Sequence, residues 1–303
     1  MTDPAVIAIF GPTASGKSAV AEALVERIPA ELVSADAMQA YRGLPILTNQ
    51  PAVLTRLVAV WPLDHDGSVG EYQVLAHEAI DDILSTGKTP VVAGGTGLYL
   101  RAALAVIGVP PRPTPGERER WATAYDREGA EWAHTRLAEL DLAAAAAVHP
   151  NDRRRVVRAL ELATTGSSLV PEKNRLWSEE TRRLTCIVGL EFPSRKLELR
   201  IEERTRLMFE SGVEEEVRRA LAGPISATVA KTLGLREVAE LPRDEAIEAV
   251  GRRTRQYAAY QRKWMRRIAG LVTVDADRPA GEIADEILEV ARARQRLPAR
   301  RAG

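Results

Sequence analysis

The chain has 303 residues, 45% hydrophobic and 28% charged, with 42 basic side chains against 42 acidic ones. That apolar fraction supports a core and excludes disorder as the main state, while the length suits roughly two domains or one domain with a sizeable insertion. Zero formal charge excludes a uniformly basic coat but not a local patch, and a lone cysteine, Cys186, excludes an intrachain disulfide and argues against a structural zinc site.

The first residues, Met1–Pro4, show no basic stretch followed by an apolar one. Residues 5–10 form a β-branched apolar run and predict a buried parallel strand. A loop over 11–18 and helical periodicity over 19–28 follow, then a short strand at 31–34. A helix pattern over 69–85 stops at Gly87 and Pro90, and 91–93 predict a third buried strand ending on Gly94 and Gly95. The longest apolar tract, 91–111, is interrupted by Arg101 and by glycines, too broken to span a membrane. Together these features predict a soluble, cytoplasmic protein.

Strands alternating with helices predict an α/β fold with a parallel sheet, its site at the strands' carboxyl ends. The closely spaced prolines of 110–115 mark a boundary. Residues 116–165 read as helical, 166–180 as a loop and 184–190 as another buried strand. Beyond Pro193 the pattern is helical, apart from a short strand at 271–274, and 292–303 read as a frayed helix and tail. The expected organisation is a phosphate-loop core, residues 1–110 plus 181–303 with a mostly helical C-terminal part, carrying a helical insertion domain over 111–180.

Gly11-Pro12-Thr13-Ala14-Ser15-Gly16-Lys17-Ser18 satisfies G-x-x-x-x-G-K-[ST] between a strand and a helix. Such a loop turns backbone N–H groups and a helix N-terminus toward phosphate, Lys17 adds a point charge, and the Ser18 hydroxyl can ligate Mg²⁺. A plain glycine turn does not account for the flanking strand and helix. No strand ends clearly in the second acidic Mg²⁺ ligand that a nucleoside triphosphatase needs. Asp36 instead follows the second strand, where a carboxylate either faces the ligand crevice or serves as an ordinary turn residue.

Six segments together resemble the tRNA dimethylallyltransferase family, the isopentenyl-diphosphate:tRNA transferases. They are GPTASGKS at 11–18, SADAMQAYRG at 34–43, GGTGLYLRA at 94–102, HPNDRRRVVRALE at 149–161, RIEERTRLM at 200–208 and LGLRE at 233–237. The resemblance implies transfer of a dimethylallyl group from dimethylallyl diphosphate to the exocyclic amine of the adenosine 3′ to the anticodon. Asp36 then takes the place of general base, and the phosphate loop, Mg²⁺ and Arg204 that of leaving-group stabilisers. Thr13 and Thr96 match positions near the reacting groups. Asp36, Ala37, Met38, Gln39 and Thr96 match tRNA-binding positions, with Gln39 suited to the edge of a flipped adenine. Arg118, Arg154, Arg155 and Arg158 match contacts to the anticodon stem-loop. The resemblance implies no membrane partner, and a monomer is expected.

Three stretches depart from the family pattern. Leu47-Thr48-Asn49-Gln50-Pro51 replaces Gly-Thr-Ala-Lys-Pro, Gly234-Leu235-Arg236-Glu237 lacks the usual aromatic, and Ala258-Ala259-Tyr260-Gln261 replaces Ala-Lys-Arg-Gln. A second basic cluster, from Arg252 to Arg267, reads equally as a solvated face or an RNA contact. The alternatives are an adenylate isopentenyltransferase, which needs no arginine-rich insertion, a phosphate-loop small-molecule kinase, and a non-catalytic RNA-binding module, which leaves the phosphate loop without a purpose.

Overall fold

The computed structural model describes residues 6–108, 116–170 and 175–296. In chain order the first elements are β1 (Val6–Phe10), α1 (Lys17–Arg27), β2 (Ala30–Ser34), β3 (Thr55–Arg56), α2 (Val69–Ser85), β4 (Thr89–Gly94) and α3 (Gly97–Leu104). Four helices follow: α4 (Glu117–Glu128), α5 (Ala130–Leu140), α6 (Leu142–Ala147) and α7 (Arg153–Thr164). The chain then runs through β5 (Thr185–Glu191), α8 (Ser194–Glu210), α9 (Val213–Leu221), α10 (Leu235–Glu240), α11 (Arg243–Met265), β6 (Val272–Asp275) and α12 (Ala280–Arg296).

Two compact units result, one of Met1–Val106 with Leu176–Gly303 and the other of Ile107–Arg175. The expected insertion, 111–180, differs by a few residues at each end. The proline-rich boundary at 110–115 and the tail beyond 296 lie outside the described residues.

In the first unit all six strands are parallel, in the order β3-β2-β4-β1-β5-β6. Every residue of β1 is buried, as covering a parallel sheet on both faces requires. Leu24 of α1, Ile201 of α8 and Ile287 of α12 pack into the core around β1 and β5; each such aliphatic burial stabilises by about 2 kcal/mol. Pro90 does not stop α2 but lies at the start of β4, where a proline is tolerated because the ladder has barely begun. The chain turns at Gly87, φ +75°, instead. The two-residue edge strand β3 is too short to leave a periodic signal.

Register positions the site. Phe10 pairs with Gly94 on one side and Gly189 on the other, and Ser34 pairs with Ala93. The carboxyl ends of β1, β2 and β4 are therefore level, and the segments beginning at Gly11, Ala35 and Gly95 emerge side by side. A fourth segment, residues 44–50, is fixed by a carboxylate. Glu216 of α9, only 3% exposed, accepts from Ile46 N and Leu47 N, both at 2.8 Å.

In the second unit, Trp121, Leu137, Val156 and Leu160 form a separate core among α4, α5 and α7. Its described residues from 117 to 165 are helical without a strand, as the sequence predicts.

Glu216→Ala strips two backbone donors of a charged acceptor. Loss of about 2–3 kcal/mol of stability is expected in urea unfolding, with Glu216→Gln intermediate.

Candidate active site

The loop after β1 alternates left-handed residues, Ala14 at φ +64° and Gly16 at φ +92°, before α1 begins at Lys17. That alternation turns successive N–H groups into a concave anion nest at a helix N-terminus. A left-handed alanine costs roughly 1–2 kcal/mol, a strain characteristic of functional loops.

Some donors around the loop have internal partners and two do not. Ser15 Oγ and Arg204 Nε are buried without a hydrogen-bond partner among the described residues. Lys17 Nζ donates to the carbonyl of its own loop's Pro12, at 2.8 Å. Burial holds Lys17 down to about 8 and nearby Arg204 adds to the depression, while Asp36 opposes it. Desolvation likewise lowers the Arg204 guanidinium, again opposed by Asp36. Buried, unpartnered donors call for an acceptor, and a phosphate group supplies three or more oxygens.

Two cavities open here. The first, about 450 Å³, is lined by Thr13, Gly16, Lys17, Ser18, Asp36 and Gln39, and by Arg200, Glu203, Arg204 and Leu207 from one face of α8. The second, about 350 Å³, is lined by Ala37, Met38, Leu47, Met208, Leu233 and Val250, with Thr96 at its wall. Thr13, Asp36, Thr48, Asn49, Arg204 and Tyr257 line both. The chamber that carries the phosphate loop thus abuts a second one, which also holds Lys231 and Arg253, at a shared wall holding a carboxylate. Both volumes are in the range of small-ligand sites.

Asp36 stands at that wall, and its Oδ1 also accepts from Met38 N at 3.0 Å, so the turn role and the crevice position coincide. Across from it the Tyr257 hydroxyl is 3.2 Å from Thr96 Oγ1. Burial pushes Tyr257 up to about 12, with the Asp36 charge adding to the shift, so the phenol stays protonated at neutral pH.

Gln39 departs from expectation. Its Oε1 accepts from Ser34 Oγ at 2.8 Å, and its Nε2 donates to the carbonyls of Asn49 (2.8 Å) and Thr48 (3.4 Å). The amide is consumed in tying β2 to residues 48–49, and Gln39 lines the phosphate-side cavity rather than the second one. Gln50, standing where the family has lysine, donates to the carbonyls of Tyr41 (2.7 Å) and Gln39 (3.2 Å).

No group of three or more His, Cys, Asp or Glu side chains that could hold a metal occurs among the described residues. The exposed Ser18 hydroxyl at the cavity wall fits a Mg²⁺ ion whose other ligands are substrate phosphate and water.

The four arginines of the helical unit divide. Arg158 donates to Glu161 Oε1 at 2.6 Å and Arg118 pairs with its Oε2 at 3.4 Å; Glu161 is 1% exposed. Those two neutralise a buried carboxylate. Neighbouring Arg153 forks onto Asp126 (2.5 and 2.6 Å). The side chains of Arg154 and Arg155 are exposed and make no hydrogen bond or ion pair among the described residues. In the later cluster Arg253 pairs with Glu237, Arg255 with Glu202, and Arg267 stacks 4.0 Å over Trp177. Arg252, Lys263 and Arg266 are exposed and unpaired among the described residues.

Sequence reasoning missed Tyr257 and Gln261, which are four apart on one face of α11, and Arg200 on α8. The i, i+3, i+4, i+7 spacing of Arg200, Glu203, Arg204 and Leu207 could have revealed a shared face.

Fold and site define a class: parallel α/β proteins with a glycine-rich, lysine-bearing loop at a helix N-terminus and a carboxylate at the wall shared by two adjoining chambers. Residues 39–268 match the model of the IPP transferase family. A tRNA dimethylallyltransferase of Anaeromyxobacter dehalogenans is 39% identical over 282 residues, covering 89% of this chain and 94% of the relative. One from Corynebacterium jeikeium is 36% identical over 290 residues, covering 90% and 92%. A solved eukaryotic dimethylallyltransferase acting on tRNA is 25% identical with a TM-score of 0.77, over 99% of this chain and 82% of that one. The chain belongs to the IPP transferase family, a family of prenyltransferases.

Inorganic pyrophosphate is expected to bind best below pH 8. Above the Lys17 value of about 8 the free site must take up a proton to present an ammonium, so affinity should fall, by up to about tenfold per pH unit. Isothermal titration from pH 7 to 9.5 checks this; a flat profile would remove Lys17 from the site.

Proposed function

We propose that this chain transfers a dimethylallyl group from dimethylallyl diphosphate to N6 of the adenosine 3′ to the anticodon of tRNA. The observation that carries the reading is the shared wall of the two cavities at Thr13, Asp36, Arg204 and Tyr257. The diphosphate occupies the chamber that carries the phosphate loop, the extruded adenine enters the one lined by Met38, Leu47 and Met208, and the two reactants meet beside Asp36.

In the reaction the allylic C–O bond breaks and its electron pair leaves with diphosphate. The N6–C bond forms as the amine proton passes to the Asp36 carboxylate. An adenine amine is a weak nucleophile because its lone pair is delocalised, so accepting that proton as the bond forms lowers the barrier. Loop amides, Lys17 and Arg204 stabilise the charge developing on diphosphate, and Arg204 Nε gains the acceptor it lacks. Mg²⁺, when held by Ser18 and phosphate oxygens, neutralises further charge on the leaving group. Thr13, which lines both chambers, and Thr96, which lines the second, border the reacting atoms.

Arg154 and Arg155 are the cations of the helical unit left free for an RNA backbone, with Arg252, Lys263 and Arg266 available on the later helices. An enzyme acting on free adenine nucleotides has no use for them, which favours tRNA over the adenylate reading. Arg118 and Arg158 support tRNA binding indirectly, by holding α7 through Glu161. One chain supplies both chambers, so the active form is taken as a monomer.

The deciding assay mixes the protein with dimethylallyl diphosphate, Mg²⁺ and either an anticodon stem-loop, AMP or ATP. Prenylated RNA is expected; prenyl-AMP alone would favour the adenylate enzyme, and no transfer to either would overturn the proposal. Asp36→Ala should slow single-turnover transfer by about 10²–10⁴-fold with RNA affinity nearly unchanged. Loss of affinity with an intact rate would remove Asp36 as the base. Arg154→Gln with Arg155→Gln should weaken RNA binding and flatten its log–log salt dependence by about one unit per lost phosphate contact, with unfolding unaffected. Binding unchanged across salt would return both arginines to the solvated surface.

A further inference from the structure

Gln261 lies on α11, more than two hundred residues from the phosphate loop in sequence, and is 2% exposed. Its Oε1 accepts from Thr13 N at 2.7 Å and its Nε2 donates to the Gly95 carbonyl at 2.9 Å. Both ends of one buried amide are thus used, one on the loop after β1 and the other on the segment after β4. The approach is tight enough to dictate the neighbour, since a Cβ on Gly95 would sit 2.2 Å from Gln261 Nε2. One turn earlier on α11, Tyr257 meets Thr96 Oγ1 at 3.2 Å.

We infer that Gln261 is a positioning residue for the transfer reaction. It fixes the backbone at Thr13, which lines both chambers, and immediately before Thr96, which lines the second. The Thr13 N–H is donated to Gln261 and so is not directed at phosphate. Gln261 therefore acts through the loop and not as a diphosphate ligand. Its consequence is geometric: the diphosphate-holding loop and the segment carrying Thr96 keep one separation. A misplacement of about 1 Å between reacting groups costs on the order of 10²-fold in rate.

The inference rests on the proposed transfer activity, so wild-type protein is assayed in parallel; absence of wild-type transfer would fail that activity, not the role of Gln261. Gln261→Leu removes both hydrogen bonds at similar volume. Gln261→Glu keeps the acceptor for Thr13 N–H and, ionised, loses the donor to Gly95. With circular dichroism confirming the fold, Gln261→Leu should lower single-turnover transfer about 100-fold, with KM for dimethylallyl diphosphate and stem-loop affinity within about threefold of wild type. Gln261→Glu should recover part of the loss. A rate within threefold of wild type for Gln261→Leu would overturn the proposal, as would a loss confined to KM, RNA affinity or thermal stability. If Gln261→Leu does not fold, Gln261→Glu decides: a rate reduced at unchanged KM supports the role, and any other result overturns it.

Discussion

Donors that have no acceptor of their own organise this molecule. Desolvating a cation or a hydroxyl without a partner is unfavourable, yet Arg204 Nε and Ser15 Oγ are buried in that condition near the carboxyl end of β1, beside a desolvated Lys17 that donates to the Pro12 carbonyl. Much of the first unit holds them there. The parallel register levels three strand ends, α8 brings Arg204 in from one side, Glu216 pins residues 46–47, and Gln261 ties the loop to its neighbour.

Charge in the helical unit follows a different rule. The run of 153–158 looks uniform along the chain, but helix geometry sends its members in different directions. Arg158 turns inward onto Glu161, where Arg118 joins it, while Arg154 and Arg155 stay in solvent. Removing one partner of a buried pair leaves the other uncompensated, so the inner pair belongs to folding. A basic cluster is thereby divided into cations that build a surface and cations that such a surface can offer.

The core strands were legible because a parallel sheet requires apolar runs, and the loop because its glycines and lysine have fixed spacing. Asp36 was legible only as an ambiguity, resolved by a structure in which it both accepts from Met38 N and faces the crevice. Gln39 was read from its type, which suits a base edge, while nothing local reveals that Ser34, Thr48 and Asn49 also engage its amide. Gln261 shows the complementary failure. Its importance is a long-range contact, and sequence spacing carries no trace of which loop a distant helix will meet. Edge strand β3 and the start of β4 at Thr89 were lost to shortness and to a proline whose usual meaning is a stop.

The lone cysteine gains a use from its position. Cys186 lies in β5, is 2% exposed, and sits opposite Ile7 in the register that also levels the strand ends. A thiol reagent can reach it only when the sheet opens beside β1, so the rate at which Cys186 is alkylated is a clock for that opening. Because the phosphate loop leaves the same strand, occupancy of the loop and the pace of that clock are coupled. The chain thus carries a built-in reporter of opening in its own core.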